Sequence, residues 1–386
     1  MIATPRARAL ALLLGLLAGF GAALFEGHRA AHYSKPSGFR RLHQRISPES
    51  SFYPPFAMLE NLALARWHPG QTVVIIGGNS VLQGAGQSAE HLWSLRLQQL
   101  LGDRYVVVNL AFSGAYPSEG GALVAEALLK RHVPVLYVAN AANGPQARPY
   151  ESTYGWLFWD ARAHDQLLFN PARRTELDLR FASALPVVRQ QLRTSELSAR
   201  LNALLGFEEL WHHVAYRHFS TIWTFVTRDR FWRPRQDFPD WGPDAPPPDQ
   251  RYRDNFDIEM LITRGASQTF AEPDGRGGWR AAAGPLHQAD IDIEEIFPRL
   301  LRPRMLLLLS QSSPYYRDRL TADERARDAF VFATYQKVWE NHGIRCAIAG
   351  ADFSADEFAD RIHLAPAGGA KLADLVAREL RRIDSP

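Results

Sequence analysis

An acid and a histidine lie three residues apart near the C-terminus, in the segment ADRIHLAPAGGAKLADLVAREL. They are Asp360 and His363, and the helical pattern that follows them begins at Pro366. A histidine can act as a general base when a nearby carboxylate fixes its tautomer through the other ring nitrogen. Such a pair requires a nucleophile, and Ser80 in the upstream segment VVIIGGNSVLQGAG can supply one. The three residues together predict nucleophilic acyl chemistry.

Two further segments contain donors that could stabilise negative charge. Gly114 lies in VVNLAFSGAYPSEG, where a glycine can present its backbone N–H with no side chain in the way. The segment VANAANG offers the side-chain amides of Asn140 and Asn143. Donors of this kind form an oxyanion hole when they point at charge that develops in the transition state. A plain turn around Ser80 and loop capping by the asparagines are the simpler alternatives.

All of these segments follow short apolar runs that alternate with helical patterns. Runs that are apolar throughout and separated by helices predict a parallel sheet covered on both faces. In such sheets, ligands bind beyond the carboxyl ends of the strands, where Ser80, Gly114 and the two asparagines are expected. The expected strands are 72–76, 105–110, 133–139, 303–309 and 344–349, and the expected helices are 88–101, 117–131, 321–342 and 366–382.

The alternating pattern stops in the middle of the chain. We expect an α/β domain formed by residues 71–150 and 300–386, interrupted by an insertion at 151–299. The first half of the insertion has helical patterns, and a Pro-rich loop follows them. Residues 29–70 are polar and punctuated by proline, which indicates a linker.

The N-terminal residues 1–28 predict a membrane anchor. Arg6 and Arg8 precede an uncharged apolar run over 9–25, which is at the short limit for a spanning helix. The small-residue cleavage site at 21–23 is weak, so an uncleaved anchor is favoured over a signal peptide. Basic residues before the run place the N-terminus in the cytoplasm and the remaining chain in the periplasm. A buried N-terminal helix of a soluble protein is the alternative.

The composition argues against several other classes of protein. A chain of 386 residues with 46% hydrophobic residues can bury a large core. Its net charge of +3, without a basic stripe, makes nucleic acid a poor partner. The single cysteine, Cys346, excludes an internal disulfide and a cysteine-based metal site. His212, His213 and His218 do not share one helix face, so we expect no metal and no other cofactor.

In their order along the chain, these segments resemble the blocks of the SGNH (GDSL-type) hydrolase superfamily. GGNSVLQG resembles the nucleophile block, with Asn79 where aspartate is common, and NLAFSG resembles the glycine block. DRIHLAPAGGAKLA resembles the terminal Asp-x-x-His block. The asparagine block matches less well, because Gly-x-Asn-Asp is expected, and the spacing favours Asn143 over Asn140. The resemblance covers about 70–150 and 300–386.

This resemblance implies the SGNH hydrolase fold, a flavodoxin-like, three-layer α/β architecture around a parallel sheet, here with a large, mainly helical insertion. It also implies that Ser80 attacks an ester carbonyl, that His363 transfers the proton and that Asp360 orients His363. The implied oxyanion donors are the N–H groups of Ser80 and Gly114 and the side-chain amide of Asn143 (or Asn140).

One membrane anchor with an SGNH core outside the membrane also resembles proteins that O-acetylate bacterial surface polysaccharides. Those proteins work beside a multispanning membrane acyltransferase, which implies such a partner and a glycan acceptor here. Ester hydrolysis uses the same triad and is one alternative, and a non-catalytic anchored scaffold that binds glycan is another. Candidates for stacking on sugar rings, if they do not simply pack in a core or lid, are Trp156, Trp159, Trp211 and Trp223.

Overall fold

The computed structural model describes the N-terminal helix and most of the α/β core. Most of the expected insertion falls outside the described residues, including its expected helices, its three singled-out histidines and its four singled-out tryptophans. Asn143 falls outside them too. The described residues are 5–32, 56–88, 90–112, 114–141, 161, 256–265, 267–268, 270–284, 289, 293–294 and 296–384.

The N-terminal helix, α1, spans Pro5–His32. Its stretch Pro5–Ala22 is long and apolar enough to cross a membrane, and a signal sequence would have the same character. Its described apolar side chains are exposed, as Leu12 and Leu16 show. Because no other described part of the chain covers them, the helix has the surface that a membrane anchor requires.

The core is a parallel sheet of five strands in the order β2-β1-β3-β6-β7. If these five strands alone are numbered in chain order, their order in the sheet is 2-1-3-4-5, which is the flavodoxin-like order. A separate antiparallel pair, β4 and β5, lies between β3 and β6 in the chain. The strands are β1 Thr72–Ile76, β2 Tyr105–Asn109, β3 Val135–Ala141, β4 Ala271–Pro273, β5 Trp279–Ala281, β6 Met305–Ser310 and β7 Arg345–Ala349.

Helices cover both faces of the sheet. Within the described residues they are α2 Phe56–Arg66, α3 Ser80–Gln83, α4 Trp93–Leu101, α5 Gly121–Lys130, α6 Phe256–Gly265, α7 Pro314–Arg317, α8 Ala322–Asn341 and α9 Pro366–Asp384. A short 3-10 turn at Arg302–Arg304 precedes β6. A second one, at Ala355–Glu357, precedes the loop that carries Asp360 and His363, which we call the base loop.

Alternate strand residues pack into two separate cores. In β1, Val73 and Ile75 pack with α2, α5 and α8, whereas Val74 and Ile76 pack with α4 and α9. Every residue of β1 is buried, because a strand covered on both faces has no polar side. Burying one such side chain contributes about 1.5–3 kcal/mol. The sheet is therefore the middle layer of a three-layer α/β structure, as the sequence predicts.

The strand order places a switch point between β1 and β3. From β1 the chain runs outwards to β2 on one side and then returns to β3 on the other. In sheets of this kind, the connections on the two sides of such a switch point diverge at the carboxyl edge and open a crevice there. Ser80 lies directly beyond the end of β1, at this crevice.

The structure corrects several expected boundaries. The helix expected at 88–101 begins at Trp93, and the one expected at 117–131 begins at Gly121, because Pro117 and the residues after it form turns. The strand expected at 133–139 is shifted to Val135–Ala141. That shift follows from the turn before it, in which His132 has a φ of 60°. Asn140 thus lies inside β3 and not after it.

The region expected to be a linker contains a helix that we did not predict. In α2, Phe56, Leu59 and Leu62 are fully buried against the sheet. Their spacing gives the helix one apolar face, which a polar linker does not have. Inside the expected insertion, near its C-terminal end, Phe270 and Phe297 also belong to this core, so part of 256–299 packs directly on the α/β domain.

Candidate active site

The loop after β1 holds Ser80 at the edge of the sheet. Gly78 has a φ of +85°, which an L side chain rarely adopts. A Cβ atom at this position would lie 2.3 Å from Asn140 Oδ1. The chain can therefore turn sharply between the strand and Ser80 only because residue 78 has no side chain.

Asn79 caps the short helix that Ser80 begins. Its Oδ1 atom accepts a hydrogen bond from the backbone N–H of Val81, at 3.0 Å. Asparagine is a preferred residue at this position because its side chain satisfies an N–H group that the helix leaves unpaired. The cap fixes the backbone on both sides of Ser80, and hence the direction in which its hydroxyl points.

Ser80, His363 and Asp360 form a continuous hydrogen-bonded chain. Ser80 Oγ lies 2.7 Å from His363 Nε2, and His363 Nδ1 lies 2.6 Å from Asp360 Oδ2. Because a carboxylate accepts, Nδ1 carries the proton and donates to Asp360. Nε2 is then the acceptor for the hydroxyl of Ser80. This is the arrangement in which an imidazole removes a proton from a serine nucleophile.

Asp360 stays ionised because its neighbours favour the charged form. Burial alone would raise its pKa, but the hydrogen bond and the charge of His363 outweigh burial. The backbone N–H groups of Ile362 and His363 also donate to Oδ1, at 2.9 and 2.8 Å. Together they lower the pKa of Asp360 to about 2. The carboxylate is thus available to orient His363 and to stabilise its positive charge.

A buried glutamine joins the nucleophile side of the site to the base loop. The side chain of Gln87 is fully buried; its Nε2 donates to Leu364 O at 3.1 Å, and its Oε1 accepts from Trp93 N at 2.9 Å. Leu364 follows His363 directly. The first turn of α9 leaves room for the glutamine because Gly369 has no side chain, and a Cβ there would lie 2.6 Å from Gln87 Nε2. Gln87 therefore fixes the backbone that carries the base.

Two backbone N–H groups are free to bind an oxyanion. Among the described residues, the N–H groups of Ser80 and Gly114 donate to no other atom. Gly114 has a φ of +76°, and no atom lies within 4 Å of where its Cβ would be. The loop that carries it is tied to the nucleophile loop, since Phe112 N donates to Gly78 O at 3.0 Å. Unpaired donors of this kind can stabilise a tetrahedral intermediate.

The hydrogen bonds of the Asn140 side chain differ from those of the oxyanion donor that the resemblance implies. It is 1% exposed, its Oδ1 accepts from Asn79 N at 3.0 Å, and its Nδ2 donates to Asn79 Oδ1 at 2.7 Å. These bonds commit the side chain to holding the nucleophile loop. Asn143, the other candidate, lies outside the described residues. The third oxyanion donor is therefore still a prediction.

A cavity of about 450 Å³ borders the nucleophile loop. Its lining includes Asn79 and Val81, the two neighbours of Ser80, and Ile362, the neighbour of His363, but not Ser80 or His363 themselves. Its volume lies in the range of small-molecule sites. The remaining lining residues are Asn140, Ala141, Ile262, Thr263, Gly265, Ser310, Ser312, Arg317, Asp328, Phe332 and Arg361.

Sequence reasoning missed Gln87 and the polar residues of the cavity. A glutamine in a turn, or a serine at the end of a strand, has no spacing that distinguishes it from a solvated residue. In the sequence, the one sign that another loop approaches the segment after Ser80 closely is the pair of glycines at 84 and 86. Within the described ranges, no cluster of three or more His, Cys, Asp or Glu side chains is arranged to hold a metal ion.

Comparison with known proteins adds little to this geometry. No family model matches the chain, and no curated protein matches its sequence. Among solved structures, a carbohydrate acetylesterase from Sinorhizobium meliloti aligns with 81% of this chain and 100% of its own, at 11% identity and a TM-score of 0.31. A similarity at that level carries no argument about function, which must come from the residues of this chain.

Proposed function

We propose that the chain is an SGNH-type serine enzyme that forms an acyl-enzyme on Ser80. The observation that carries the proposal is the hydrogen-bonded chain from Ser80 Oγ through His363 to Asp360. A scaffold that only binds glycan needs no such chain. The blocks of the sequence that resemble the SGNH superfamily contain the same three residues, at the strand ends where the structure brings them together.

The geometry supports a two-step acyl transfer. Ser80 Oγ attacks the carbonyl carbon of an acyl ester while its proton passes to His363 Nε2. The oxyanion is stabilised by the N–H groups of Ser80 and Gly114. When the tetrahedral intermediate collapses, His363 returns the proton to the leaving alkoxide and the acyl group stays on Ser80. In the second step, His363 removes a proton from an acceptor hydroxyl, which attacks the acyl-serine. As the bond between Ser80 Oγ and the acyl carbon breaks, His363 returns the proton to Ser80 Oγ and the acylated acceptor leaves.

The acceptor in this proposal is a hydroxyl group of an extracytoplasmic polysaccharide. The apolar helix α1 supports a membrane anchor, and the two arginines at its N-terminal end support placement of the α/β domain in the periplasm. A multispanning membrane acyltransferase beside the anchor would supply the activated acyl group across the membrane. The chain would then be the extracytoplasmic half of a polysaccharide O-acylation system.

Hydrolysis by the same residues is the second candidate, and one observation favours it. The side chains of Asp360 and His363 are 52% and 23% exposed among the described residues. Water can therefore approach the base, and water would compete with a sugar hydroxyl for the acyl-serine. The outcome depends on how completely an acceptor excludes water from the site.

The test uses the full-length protein in detergent. Incubation with p-nitrophenyl acetate should release p-nitrophenol and add one acetyl group to Ser80, as intact-mass measurement and peptide mapping would show. Ser80→Ala should abolish both. A suitable control is Ser88→Ala, because Ser88 Oγ also contacts a histidine, His91 Nδ1 at 3.3 Å, but on the surface. Loss of p-nitrophenol release that is equal in the two variants would refute the proposal.

A second measurement separates transfer from hydrolysis. Oligosaccharide is added to the acetylated enzyme, and the products are analysed by mass spectrometry. Acetylated oligosaccharide whose formation requires Ser80 supports transfer. If only free acetate forms with every oligosaccharide, the enzyme is an esterase and the transfer proposal is wrong.

A further inference from the structure

The cavity beside the nucleophile loop contains polar groups that the mechanism does not use. It extends from Asn79 and Ile362 across the carboxyl edge of the sheet to α7 and α8. Its far wall contains Ser310 at the end of β6, Arg317 on α7 and Asp328 on α8. These three side chains face a cavity large enough for one small ring.

Each of the three has unused hydrogen-bonding capacity. Ser310 Oγ and Arg317 Nε are buried and have no hydrogen-bond partner among the described residues. The carboxylate of Asp328 has no hydrogen bond to any described residue, and burial raises its pKa more than Arg317 and Arg327 lower it. Buried polar atoms in native structures are nearly always satisfied, so the leftover atoms of residues that line a cavity require a partner, which a ligand or ordered water there can supply.

The charge of Arg317 is not neutralised by direct contact with a carboxylate. Its described hydrogen bonds go to neutral acceptors, namely Gln311 Oε1, Gly350 O at 3.0 Å and Ala351 O at 3.5 Å. Asp318 and, after it, Asp328 act on Arg317 electrostatically, without a hydrogen bond, and of these two Asp328 lines the cavity beside the nucleophile loop. Arg317 and Asp328 thus form a donor and an acceptor of opposite charge that both line the same space. They also line a second cavity, of about 610 Å³, and so form the wall between the two.

This pairing selects the class of ligand. Of the three charged residues that line the cavity, Arg361 is paired with Glu259, which leaves Arg317 and Asp328 to act on a ligand. A carboxylate or phosphate group would be attracted by Arg317 but repelled by Asp328, and an amine would meet the opposite conflict. A hydroxyl group avoids both conflicts because it donates one hydrogen bond and accepts others. Adjacent hydroxyl groups on one ring can donate to Asp328 while accepting from Arg317 and exchanging a bond with Ser310. The non-polar side of such a ring has Ile262 and Phe332 to pack against.

We propose that this cavity is the sugar subsite of the enzyme, that it takes a neutral, polyhydroxylated ring, and that Arg317 and Asp328 determine this specificity. The inference rests on the proposed function, because it supplies the sugar that accepts or carries the acyl group. The ring would lie against Asn79 and Ile362, with its reacting oxygen directed past them towards Ser80. Charged sugars such as uronates would bind poorly.

Binding can be measured separately from catalysis. Full-length protein carrying Ser80→Ala is prepared in a detergent without a sugar headgroup and titrated with methyl glucoside, methyl galactoside and methyl mannoside, followed by ligand-observed NMR. The same titration is made with methyl glucuronide and methyl galacturonide. At least one neutral glycoside should bind, and glucoside or galactoside should bind at least fivefold more tightly than its uronate. Failure of all three neutral glycosides to bind, or tighter binding of the uronates, overturns the proposal.

Variants then assign the specificity to the two residues. Asp328→Asn keeps the size of the side chain and removes its charge, so it should weaken binding of the neutral glycoside at least fivefold and reduce the discrimination against uronates. Arg317→Gln should also weaken neutral binding at least fivefold. Asp374→Asn is the matched control, since Asp374 is a surface residue paired with Arg96 on the opposite side of the sheet from α8, and it should change neither.

The remaining outcomes are also decisive. If circular dichroism shows that Asp328→Asn or Arg317→Gln does not fold, Ser310→Ala replaces it, and an unchanged affinity in Ser310→Ala overturns the proposal. If the sugars bind as described but Ser80 is never acylated in the wild type, the subsite stands and the proposed function falls. If Ser80 is acylated but no neutral sugar binds, the proposed function stands and the subsite falls.

Discussion

The side-chain amides of Asn79 and Asn140 hold each other across the switch point of the sheet. Asn140 Oδ1 accepts from the backbone N–H of Asn79, and Asn140 Nδ2 donates to Asn79 Oδ1. The same Oδ1 atom accepts from Val81 N. The loop that carries Ser80 is therefore fixed by one side chain from β3, which is the strand next to β1.

This arrangement predicts opposite results for the same substitution at the two positions. Towards the described residues, the side chain of Asn79 acts as an acceptor and not as a donor. Asn79→Asp should therefore keep kcat/KM for p-nitrophenyl acetate within about threefold of wild type. Asn140 must donate from Nδ2, so Asn140→Asp would set two acceptor oxygens 2.7 Å apart. We expect kcat/KM to fall at least about tenfold, which corresponds to about 1.4 kcal/mol of transition-state stabilisation. Equal effects of the two substitutions would contradict this account of the loop.

The carboxylate of Asp360 fixes the tautomer of His363, and its loss should be costly. Asp360→Asn keeps the shape but presents an amide that can donate to Nδ1, which leaves the proton on Nε2 and removes the acceptor for Ser80. By analogy with other serine triads, kcat should fall about 10³- to 10⁴-fold. The control is Asp352→Asn, an exposed aspartate on the loop after β7. Retention of more than about a tenth of the wild-type kcat by Asp360→Asn would show that Asp360 does not orient the base.

The carboxylate of Asp360 should stay ionised well into the acid range. The pKa of Asp360 is lowered from 3.8 to about 2, so its contact with His363 is complete above about pH 3.8 and is lost as the pH falls towards 2. Between pH 7 and 4, therefore, Asp360 remains ionised and keeps its hydrogen bond to His363. In protein labelled with ¹³C at the aspartate carboxyl groups, the NMR signal of Asp360, assigned by its absence in Asp360→Asn, should not titrate in this range and should move only as the pH falls towards 2. A titration midpoint at the ordinary value of 3.8 would contradict this account of the contact.

Gln87 should affect both catalysis and stability, because it joins two loops. Gln87→Leu leaves Leu364 O and Trp93 N without their buried partner, at a cost of about 1–3 kcal/mol each at most. We expect a lower free energy of unfolding in urea and a decrease in kcat of about tenfold, with little change in KM. The matched control is Gln98→Leu. Gln98 lies on α4 and also bonds two backbone atoms of β2, Tyr105 O and Val107 N, but these lie away from the site. That variant should lose stability without losing kcat in the remaining folded protein.

Glu126 provides a test of the core that is independent of catalysis. It is 5% exposed on α5, and burial raises its pKa to about 8, against the opposing effect of Lys130. Between its ordinary value of 4.5 and about 8, the folded state binds the proton more tightly than the unfolded state, so stability falls as the pH rises. Glu126→Gln should remove this dependence and increase the free energy of unfolding at pH 9 by on the order of a few kcal/mol.

The control for that measurement is an exposed glutamate, Glu272, paired with Arg280 on the surface. Glu272→Gln should change the stability by less than about 0.5 kcal/mol at any pH. If Glu126→Gln and wild type lose stability equally between pH 5 and 9, Glu126 is not buried in its neutral form.

The sequence predicts the parallel sheet well because its strands are buried on both faces. A strand such as Thr72–Ile76 has no polar face, so its apolar run alone indicates both that it is a strand and how long it is. The triad residues could be found for a related reason. Asp360 and His363 lie within one turn of chain, and Ser80 follows a strand whose end faces the crevice.

The contacts that hold the site together were not predictable in the same way. The sequence pattern predicts that Asn140 follows β3, because nothing in it marks the turn at His132, and the contact of Asn140 with Asn79 is therefore not expected from it. Gln87 and Leu364 are distant in the chain, and nothing in either segment indicates a bond between them. Arg317, Asp328 and Ser310 come from three different elements, and only the fold brings them to one cavity.

The separation of Ser80 and His363 by 283 positions has a consequence for the life of the chain. During synthesis, the loop of Ser80 is complete long before the segment that carries His363. N-terminal parts of a chain fold or collapse first, while the docking of β7 and α9 must wait until those later segments have been made. A chain that lacks them holds Ser80 without its partner His363. Under the proposed function, Ser80 can therefore be acylated only after β7 and α9 have docked, so acylation of Ser80 would report that this part of the fold is complete.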